Sequence, residues 1–322
     1  MADHVRWGIL GAANFALTQM GPAIHAARGG ALTALATSTA GKAAPFADFA
    51  PGLMVFNDYD ALLASEDIDA VYIPLPNSLH VEYTRKALEA GKHVLCEKPL
   101  AMEAGQFDDL IALRNRTGLL AAEAYMIVHH PQWQRAKALY EDGAIGRLVA
   151  VNAAFSYNNP DASNIRNRPE MGGGGIPDIG VYTYGSTRFV TGEEPEEVLF
   201  ADIARENGVD VRAHVAARFP SFLFTGYTSM RMAPYQEMVF HGERGILRLT
   251  APFNPMVYGQ AMVILQDSEQ RVTTERFPRD NHYVRQVEAF NSSVRDGTPY
   301  PCPLEFSRGT QAMIDMVFAA ER

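Results

Sequence analysis

The chain has little of what marks disulfide-rich, metal-binding, membrane or nucleic-acid-binding proteins. Only two cysteines occur among its 322 residues, and neither lies in a CxxC pair or near histidines at zinc-ligand spacing, so we expect no disulfide framework and no metal site. Its 28 Lys and Arg are outnumbered by 37 Asp and Glu, which leaves no basic face for DNA or RNA. No apolar run approaches the roughly 18 residues of a membrane span. No basic and apolar leader precedes the first apolar run, so we expect a cytoplasmic protein.

What the chain does have is the composition of a globular protein, with 47% hydrophobic and 20% charged residues. At about 150 residues per domain, its length predicts two domains. The net charge of −9 does not exclude a phosphate-bearing ligand, because helix N-termini and backbone amides bind phosphate locally.

Residues 1–124 alternate between short apolar runs and helical patterns. Strands are predicted at 5–10, 31–37, 54–56, 70–75, 93–96 and 119–124, and helices at 14–28, 39–50, 58–65, 79–90 and 103–116. Asn77 or Ser78 is expected to cap the helix at 79–90. Strands that alternate with helices of this length indicate βαβ units and a parallel sheet. We therefore predict an α/β domain over 1–124.

After Tyr125, longer strand patterns dominate. A helix at 131–141 precedes strands at 148–155, 196–206, 209–219, 222–230, 236–241 and 245–250, and helices at 282–295 and 307–321 follow. Asn207-Gly208 is a strong hairpin signal, because both residues accept the positive φ of a type I′ turn, and further turns are predicted at 242–245 and 267–270. We predict an α+β domain over 125–322 with a large, open, mostly antiparallel sheet. Such a sheet suits a homodimer or homotetramer.

The first strand leads into a degenerate dinucleotide-binding turn. Gly11, Ala13 and Ala16 occupy the small-residue positions of G-x-G-x-x-G/A, where they allow the tight turn, the approach of the pyrophosphate and close packing of helix on sheet. Ala13 departs from the pattern by replacing the glycine nearest the pyrophosphate. Asn14 and Phe15 complete the predicted cofactor-binding turn. Small residues here could alternatively serve packing alone, but the position at the first βα turn favours a Rossmann domain.

The end of the second strand favours NADP(H) over NAD(H). NAD-binding domains carry an acidic residue there, about twenty residues after the turn, which binds the ribose, and 31–47 contains neither Asp nor Glu. The hydroxyls of Thr37 and Ser38 could donate to a 2′-phosphate, and Lys42 could add positive charge. The alternative is that Thr37 and Ser38 only cap the following helix.

Three further stretches carry a resemblance to a known family. They are Ile73-Pro74-Leu75-Pro76-Asn77-Ser78-Leu79-His80, Cys96-Glu97-Lys98-Pro99-Leu100, and the glycine cluster 172–175 followed by Ile176-Pro177-Asp178-Ile179-Gly180-Val181-Tyr182. With the first turn, they resemble the glucose–fructose oxidoreductase / inositol dehydrogenase family, known as Gfo/Idh/MocA. The resemblance covers nearly the whole chain. It is nearest to the sugar dehydrogenase and dimeric dihydrodiol dehydrogenase branch, because Tyr182 stands where inositol dehydrogenases usually have histidine.

The resemblance implies roles for residues in both halves. The residues that it places around the cofactor are Pro74, Leu75, Asn77, His80, Glu97 and Lys98. Lys98 would be the catalytic lysine and the Lys98–Pro99 bond would be cis, while Asp178 and Tyr182 would face the substrate. Arg166 and Tyr125 are further candidates for substrate contact, with a solvated arginine and a core tyrosine as the alternatives. The glycine cluster either approaches cofactor or substrate, or is simply a flexible loop.

One departure from the family pattern puts the substrate in doubt. Many relatives carry an arginine a few residues after an E-A-[FY]-M stretch, whereas 123–126 is followed here by Ile127, Val128 and His129. The substrate side is therefore expected to be more apolar. His129 and His130 are expected to pack or bond locally rather than bind a metal.

The chemistry expected of these residues is the oxidation of a carbinol or the reverse reduction. If Pro177 opens a helix, Asp178 and Tyr182 lie one turn apart on the same face. A free tyrosine, with a pKa near 10, is a poor base at neutral pH, and an ammonium at Lys98 would favour the phenolate. We expect an NADP-dependent oxidoreductase that transfers hydride between nicotinamide and a sugar or polyol, resembling an aldose 1-dehydrogenase.

Three alternatives stay open at this point. A trans-dihydrodiol dehydrogenase would share the catalytic residues and have an apolar, aromatic pocket, which Ile127 and Val128 favour. A redox-neutral lyase or glycosidase would retain its NAD(H). A non-catalytic dinucleotide sensor would need no pair of lysine and tyrosine.

Overall fold

Residues 4–322 are described by a computed structural model and form two compact units. The first unit comprises Met1–His129 and Asn281–Arg308, and the second comprises His130–Asp280 and Gly309–Arg322. The division differs from a single cut after residue 124, because helix α8 (His282–Asp296) returns to the first unit. There Asn291 accepts a hydrogen bond from the Trp7 indole at 2.9 Å, and Phe290 packs against the Trp7 ring. Residues 1–3 lie outside the described part of the chain, and the expectation that no leader precedes the first apolar run falls partly on them.

The first unit is built on a parallel sheet. Its strands are β1 (Val5–Leu10), β2 (Gly30–Ala36), β3 (Met54–Phe56), β4 (Ala70–Ile73), β5 (His93–Cys96) and β6 (Ala121–Glu123). Within residues 4–322 these six strands have the order β3-β2-β1-β4-β5-β6 and pair in parallel throughout. This is the order of a Rossmann sheet, which confirms the predicted fold class. The order reverses between β1 and β4, and ligands of such folds bind beyond the carboxyl ends of the strands at this point.

The helices of the first unit depart from the sequence pattern in three places. The helices of this unit are α1 (Gly21–Ala26), α2 (Ala40–Ala43), α3 (Tyr59–Leu63), α4 (His80–Glu89), α5 (Gln106–Thr117) and α8. A π-helical segment, Ala16–Met20, precedes α1. Pro22 has no N–H to donate, and the Gly21 N–H donates to the Ala16 carbonyl, five residues earlier, which is the π-helical spacing. A 3₁₀ segment, Ala44–Asp48, replaces the second part of the helix predicted at 39–50. The predicted cap of α4 is wrong, since a 3₁₀ turn, Asn77–Leu79, leads into that helix without a side-chain cap.

The second unit is built on a larger sheet. Its strands are β7 (Leu148–Asn158), β8 (Glu197–Glu206), β9 (Val209–Arg218), β10 (Leu223–Ser229), β11 (Arg231–Gly242), β12 (Gly245–Thr250), β13 (Met262–Asp267) and β14 (Val272–Arg276). Among the described residues these eight strands have the order β14-β13-β12-β11-β7-β10-β9-β8. The pair β7–β10 is parallel and the other pairs are antiparallel, so the predicted mostly antiparallel sheet is confirmed. The sequence patterns missed β13 and β14, although they did predict the turn between them.

The two faces of this sheet differ in polarity and cover. Asn207 and Gly208 have φ of 50° and 84°, which confirms the predicted hairpin, and β9 alternates between buried and accessible side chains from Ala213 onward. Helices α6 (Pro131–Glu141) and α7 (Val181–Thr191) pack on one face. The other face carries accessible apolar side chains, with Phe200 42% and Tyr235 43% exposed.

Helix α9 (Leu304–Ala319) lies near the end of the chain. Among residues 4–322, no helix combines the length and the apolar character needed to cross a bilayer.

Candidate active site

The turn after β1 requires glycine at its first position. Gly11 has φ of 104°, and a Cβ there would lie 3.0 Å from Leu75 Cδ2. The Gly11 N–H donates to the Ala36 carbonyl at 2.9 Å, which joins the ends of β1 and β2. Ala13 is partly exposed and Asn14 is exposed. The turn therefore leaves an accessible start of a helix beyond β1 and close to Leu75, in the loop after β4. A pyrophosphate would bind at this helix start.

The end of β2 carries hydroxyls and a cation instead of a carboxylate. Thr37 is buried, and its hydroxyl accepts a hydrogen bond from the Thr39 N–H at 3.2 Å. Its hydroxyl thus holds the turn, while the capping position of α2 is Thr39, which makes no side-chain cap. Ser38 and Lys42 are exposed. An anionic 2′-phosphate fits this donor set better than a ribose hydroxyl that needs an acidic partner.

Lys98 follows the end of β5 in a tightly bonded loop. The Lys98–Pro99 peptide bond is cis, as the resemblance implied. The Glu97 N–H donates to the Ile73 carbonyl at 3.0 Å, and the Lys98 N–H donates to the Glu97 carboxylate at 3.3 Å. The Tyr72 hydroxyl donates to the same carboxylate at 2.6 Å, and burial next to Glu97 raises the pKa of Tyr72 well above its usual value. Glu97 thus links the end of β4 to the backbone of Lys98.

Two residues near this loop were missed by the sequence analysis. Glu123 ends β6 with a side chain that is 3% exposed, and its carboxylate accepts from the Leu100 N–H at 2.8 Å. Burial raises its pKa. Tyr283, in the first turn of α8, meets the Phe15 ring edge-on with centroids 5.5 Å apart. Glu123 could have been found from the E-A-[FY]-M stretch that it begins, whereas no local signal marks Tyr283, which lies far from Phe15 in the chain.

The second unit contains a carboxylate with two strong partners. Asp178 Oδ2 accepts from the Tyr157 hydroxyl at 2.6 Å and lies 2.9 Å from Arg166 Nε. Asp178 raises the pKa of the Arg166 guanidinium, while burial and then Asp178 raise the pKa of Tyr157. Both partners therefore keep their protons at neutral pH. Arg166 is not an isolated solvated side chain, since it forms a charge-assisted bond to the predicted substrate-binding carboxylate.

The glycine cluster 172–175 brings backbone against Asp210. A Cβ at Gly174 would lie 2.2 Å from Asp210 Oδ1, and a Cβ at Gly173 would lie 2.6 Å from the Arg166 carbonyl oxygen. The Ile176 N–H donates to Asp210 Oδ2 at 2.6 Å, so a carboxylate from β9 holds the start of the helical segment that carries Asp178. The resemblance left a cofactor contact and a flexible loop open for these glycines, and the structure shows a third reason, the close approach of Asp210 and of the Arg166 carbonyl.

Asp210 should make the stability of the protein depend on pH. Burial raises the pKa of its carboxyl from 3.8 to about 6, so the folded state binds the proton more tightly than the unfolded state does. The contribution of Asp210 to the free energy of unfolding is thus fully present below about pH 4 and is lost as the pH rises through about 6, by roughly 3 kcal/mol. Urea unfolding should show wild type losing stability relative to Asp210→Asn between pH 4.5 and 7. A constant difference between the two proteins would contradict this.

Tyr182 lies in the first turn of α7 and among aromatic rings. A π-helical stretch, Ile176–Gly180, precedes it, and Asp178 lies in that stretch. The Tyr182 ring is 5.9 Å from the Phe155 ring and 5.6 Å from the Phe253 ring. Tyr182 also contributes to the electrostatic environment of Arg166. The second unit thus brings together Asp178, Tyr182 and Arg166, and adds Tyr157.

Three of the remaining candidates, Tyr125, His80 and His129, are buried in their units. Tyr125 is 1% exposed and packs against Phe306, which fits the core alternative. His80 is fully buried and bonds to backbone carbonyls. Burial lowers the pKa of His129 to about 3, so this histidine is neutral near pH 7, and the described residues contain no group of three metal-ligating side chains. Pro74 and Asn77 are partly exposed beyond β4.

Proteins of known activity resemble the chain over its full length. The dTDP-3,4-didehydro-2,6-dideoxy-alpha-D-glucose 3-reductase of Saccharopolyspora spinosa is 34% identical, over 100% of this chain and 97% of its own. The D-xylose 1-dehydrogenase (NADP(+)) 2 of Haloferax volcanii is 32% identical, over 97% of this chain and 96% of its own. A crystal structure of a 3-ketoreductase from Actinomadura kijaniata, in complex with NADP and TDP-benzene, superposes with a TM-score of 0.91 at 30% identity, covering 99% of this chain and 98% of that one.

Family models match both units. Residues 5–125 match the model described as oxidoreductase family, NAD-binding Rossmann fold, and residues 133–248 match the GFO/IDH/MocA C-terminal domain. The two matches agree with the Rossmann sheet of the first unit and the antiparallel sheet of the second. The chain is therefore an oxidoreductase of the Gfo/Idh/MocA family.

Proposed function

We propose that the protein is an NADP-dependent dehydrogenase or reductase that acts on a carbinol or carbonyl carbon of a sugar or related polyol. The observation that carries this proposal is the cluster of Asp178, Arg166 and Tyr182 in the second unit. A carboxylate, a guanidinium and a phenol provide acceptors and donors for several hydroxyls at once. Tyr258, which is partly exposed and meets Phe155 edge-on, suits the apolar face of a sugar ring.

The cofactor proposed for the first unit is NADP(H), which supplies hydride acceptance or donation when bound. The helix start after Gly11 would hold its pyrophosphate, and Ser38 and Lys42 would hold its 2′-phosphate. Ser38 and Lys42 are accessible at the end of β2, and 31–47 contains no carboxylate to repel a phosphate. The relatives support this assignment, since the xylose dehydrogenase carries NADP(+) in its name and the ketoreductase structure contains NADP.

Each catalytic residue has a proposed task on the substrate. Tyr182 takes the hydroxyl proton during oxidation and returns it during reduction. The Lys98 ammonium favours the phenolate form of that tyrosine and polarises the carbonyl during reduction. Asp178, with its charge fixed by Arg166, accepts a hydrogen bond from a neighbouring substrate hydroxyl and orients the reacting carbon.

A trans-dihydrodiol dehydrogenase is the second candidate, and the aromatic cluster around Tyr182 favours it. Phe155 and Phe253 stack with ring centroids 5.1 Å apart, and Tyr258 meets Phe155 edge-on at 5.8 Å. An aromatic diol could bind against Tyr258, the partly exposed ring of this group. The hydrogen-bonding set of Asp178 and Arg166 favours the more hydroxylated sugar.

Substrate oxidation monitored at the reduced-nicotinamide absorbance band tests the proposal. The purified protein should reduce NADP in the presence of an aldose such as xylose. The kcat/KM for NADP should be at least about tenfold above that for NAD, because NAD lacks the 2′-phosphate and so loses contacts with Ser38 and Lys42 that we expect to contribute at least ~1.4 kcal/mol. Polyols, dicarbonyls and trans-dihydrodiols complete the panel. Turnover of dihydrodiols alone would select the second candidate, and tightly retained NAD(H) without net redox change would indicate a redox-neutral enzyme.

The accessible face of the second unit's sheet supports a proposal of self-association. Accessible side chains from neighbouring strands, including Phe200, His214, Tyr227 and Tyr235, line a shallow groove of about 550 Å³. The ring of His214 stacks on that of Tyr227 at 5.5 Å. A second copy of the sheet would cover this surface. Sedimentation equilibrium should give two or four times 35.4 kDa, and a monomer would contradict the proposal.

A further inference from the structure

The peptide unit between Pro99 and Leu100 is held from both sides by buried side chains. Its carbonyl oxygen lies 2.8 Å from His80 Nδ1, and its N–H donates to Glu123 Oε1 at 2.8 Å. This peptide unit is the first after the Lys98–Pro99 bond. One buried ring and one buried carboxylate thus fix the plane of the backbone immediately beyond the lysine.

The contacts of His80 connect this loop to the end of β4. Its Nε2 lies 2.7 Å from the Leu75 carbonyl oxygen, while Nδ1 faces Pro99. Burial lowers the pKa of His80, the two carbonyls raise it, and the charge of Lys98 lowers it. A neutral imidazole donates through only one nitrogen, so its two contacts are not equivalent. The contact with Pro99 is the one that reaches the loop of Lys98.

Glu123 holds the other side at an energetic cost. A fully buried carboxylate without compensating hydrogen bonds is destabilising, and here the Leu100 N–H and the Ser307 hydroxyl compensate, with further support from the charge of Lys98. Cys302 Sγ lies 4.0 Å from the Ser307 hydroxyl. An apolar side chain at 123 could fill the space without this cost, so the carboxylate has a purpose beyond packing.

We infer that His80 and Glu123 are positioning residues that fix the ammonium of Lys98 for catalysis by clamping the Pro99–Leu100 peptide. The two side chains are 0% and 3% exposed, so we assign them a role through the backbone that follows Lys98 in place of a direct contact with cofactor or substrate. On the other side of Lys98, Glu97 accepts from the Lys98 N–H. The backbone is thus held both before and after the lysine. The inference rests on the proposed role of Lys98.

Two isosteric substitutions separate the two contacts of His80. Asparagine at 80 keeps a donor near the Nδ1 position, toward Pro99, while glutamine keeps one near Nε2, toward Leu75. His80→Asn should keep kcat within about threefold of wild type, whereas His80→Gln should lower kcat by about tenfold or more, since small displacements of a catalytic group are costly. The Kd for NADPH should change less than about threefold in either variant. Equal kcat values would overturn the inference.

Glu123 is tested with a conservative pair and a matched control. Glu123→Gln keeps an oxygen for the Leu100 N–H and should retain kcat within about threefold, while Glu123→Ala should lower it by about tenfold or more. Lys92 provides the control. Like His80, this buried polar side chain contacts two backbone carbonyls, those of Ser65 and Ile68, but it does so at the opposite end of β5 from Lys98. Lys92→Met should lower Tm without changing kcat.

The same substitutions in a Lys98→Met background show whether the effect passes through the lysine. There His80→Gln and Glu123→Ala should change the residual kcat less than about twofold while still lowering Tm, because the group that they position is absent. An undiminished loss of kcat in that background would mean a general structural effect and would overturn the clamp. If Lys98→Met itself is fully active, the proposed function fails; if it is inactive while His80→Gln and Glu123→Ala are normal, only the clamp fails.

Discussion

Replacing Lys98 with methionine should lower kcat by about 10³-fold, a loss within the range expected for an acid–base group. Methionine keeps most of the length of the side chain and removes the charge. In the proposed mechanism, loss of the ammonium means that the phenolate of Tyr182 is no longer favoured in oxidation and that the carbonyl is no longer polarised in reduction. The assay is the steady-state formation of NADPH with the best aldose of the panel.

The binding of the cofactor provides the internal control for this variant. The predicted phosphate contacts lie at the helix start after Gly11 and at Ser38, not at Lys98, so the Kd for NADPH by fluorescence titration should stay within about fivefold of wild type. Lys92→Met removes an ammonium from the other end of β5 and should leave kcat unchanged. A Lys98→Met protein with more than about a tenth of wild-type kcat would contradict the assignment.

Tyr182→Phe should lower kcat by about 10²-fold or more, because the substrate hydroxyl then has no partner for its proton. Phenylalanine keeps the ring that packs against Phe155 and Phe253, so Tm should change little. Tyr184→Phe makes the same substitution two residues later on the same helix, where the side chain is 2% exposed and packs against Phe224. This control should retain its kcat, since only the loss at 182 removes the proton partner.

The fold was predictable from sequence where local signals and topology rules agree. The alternation of strands and helices over 1–124 predicted the parallel sheet, and Asn207-Gly208 predicted a hairpin whose φ values the structure confirms. The sequence patterns failed where a proline or a long-range contact determines the local structure or the packing of a helix. Pro22 widens the first helix into a π-helical turn, and the return of α8 to the first unit depends on Asn291 meeting Trp7, which no window of sequence shows.

The candidate site was predictable only as far as its motifs extend. Lys98 and Asp178 lie in recognisable stretches, but their partners come from distant strands. Tyr157 reaches Asp178 from β7, Asp210 reaches the glycine cluster from β9, and Glu123 reaches the Lys98 loop from β6. The reason for the glycines became apparent only with the carboxylate in place. Tertiary hydrogen bonds of this kind leave no periodic pattern in the sequence.

The Lys98→Met/Tyr182→Phe double variant tests most directly whether these two residues act in one reaction. Groups that work as a unit show strongly non-additive losses. The double variant should therefore have a kcat within about threefold of the slower single variant, with NADPH still bound. If the two losses multiply, for example to about 10⁵-fold, the lysine and the tyrosine contribute independently, and the account of a phenol supported by an ammonium would be contradicted.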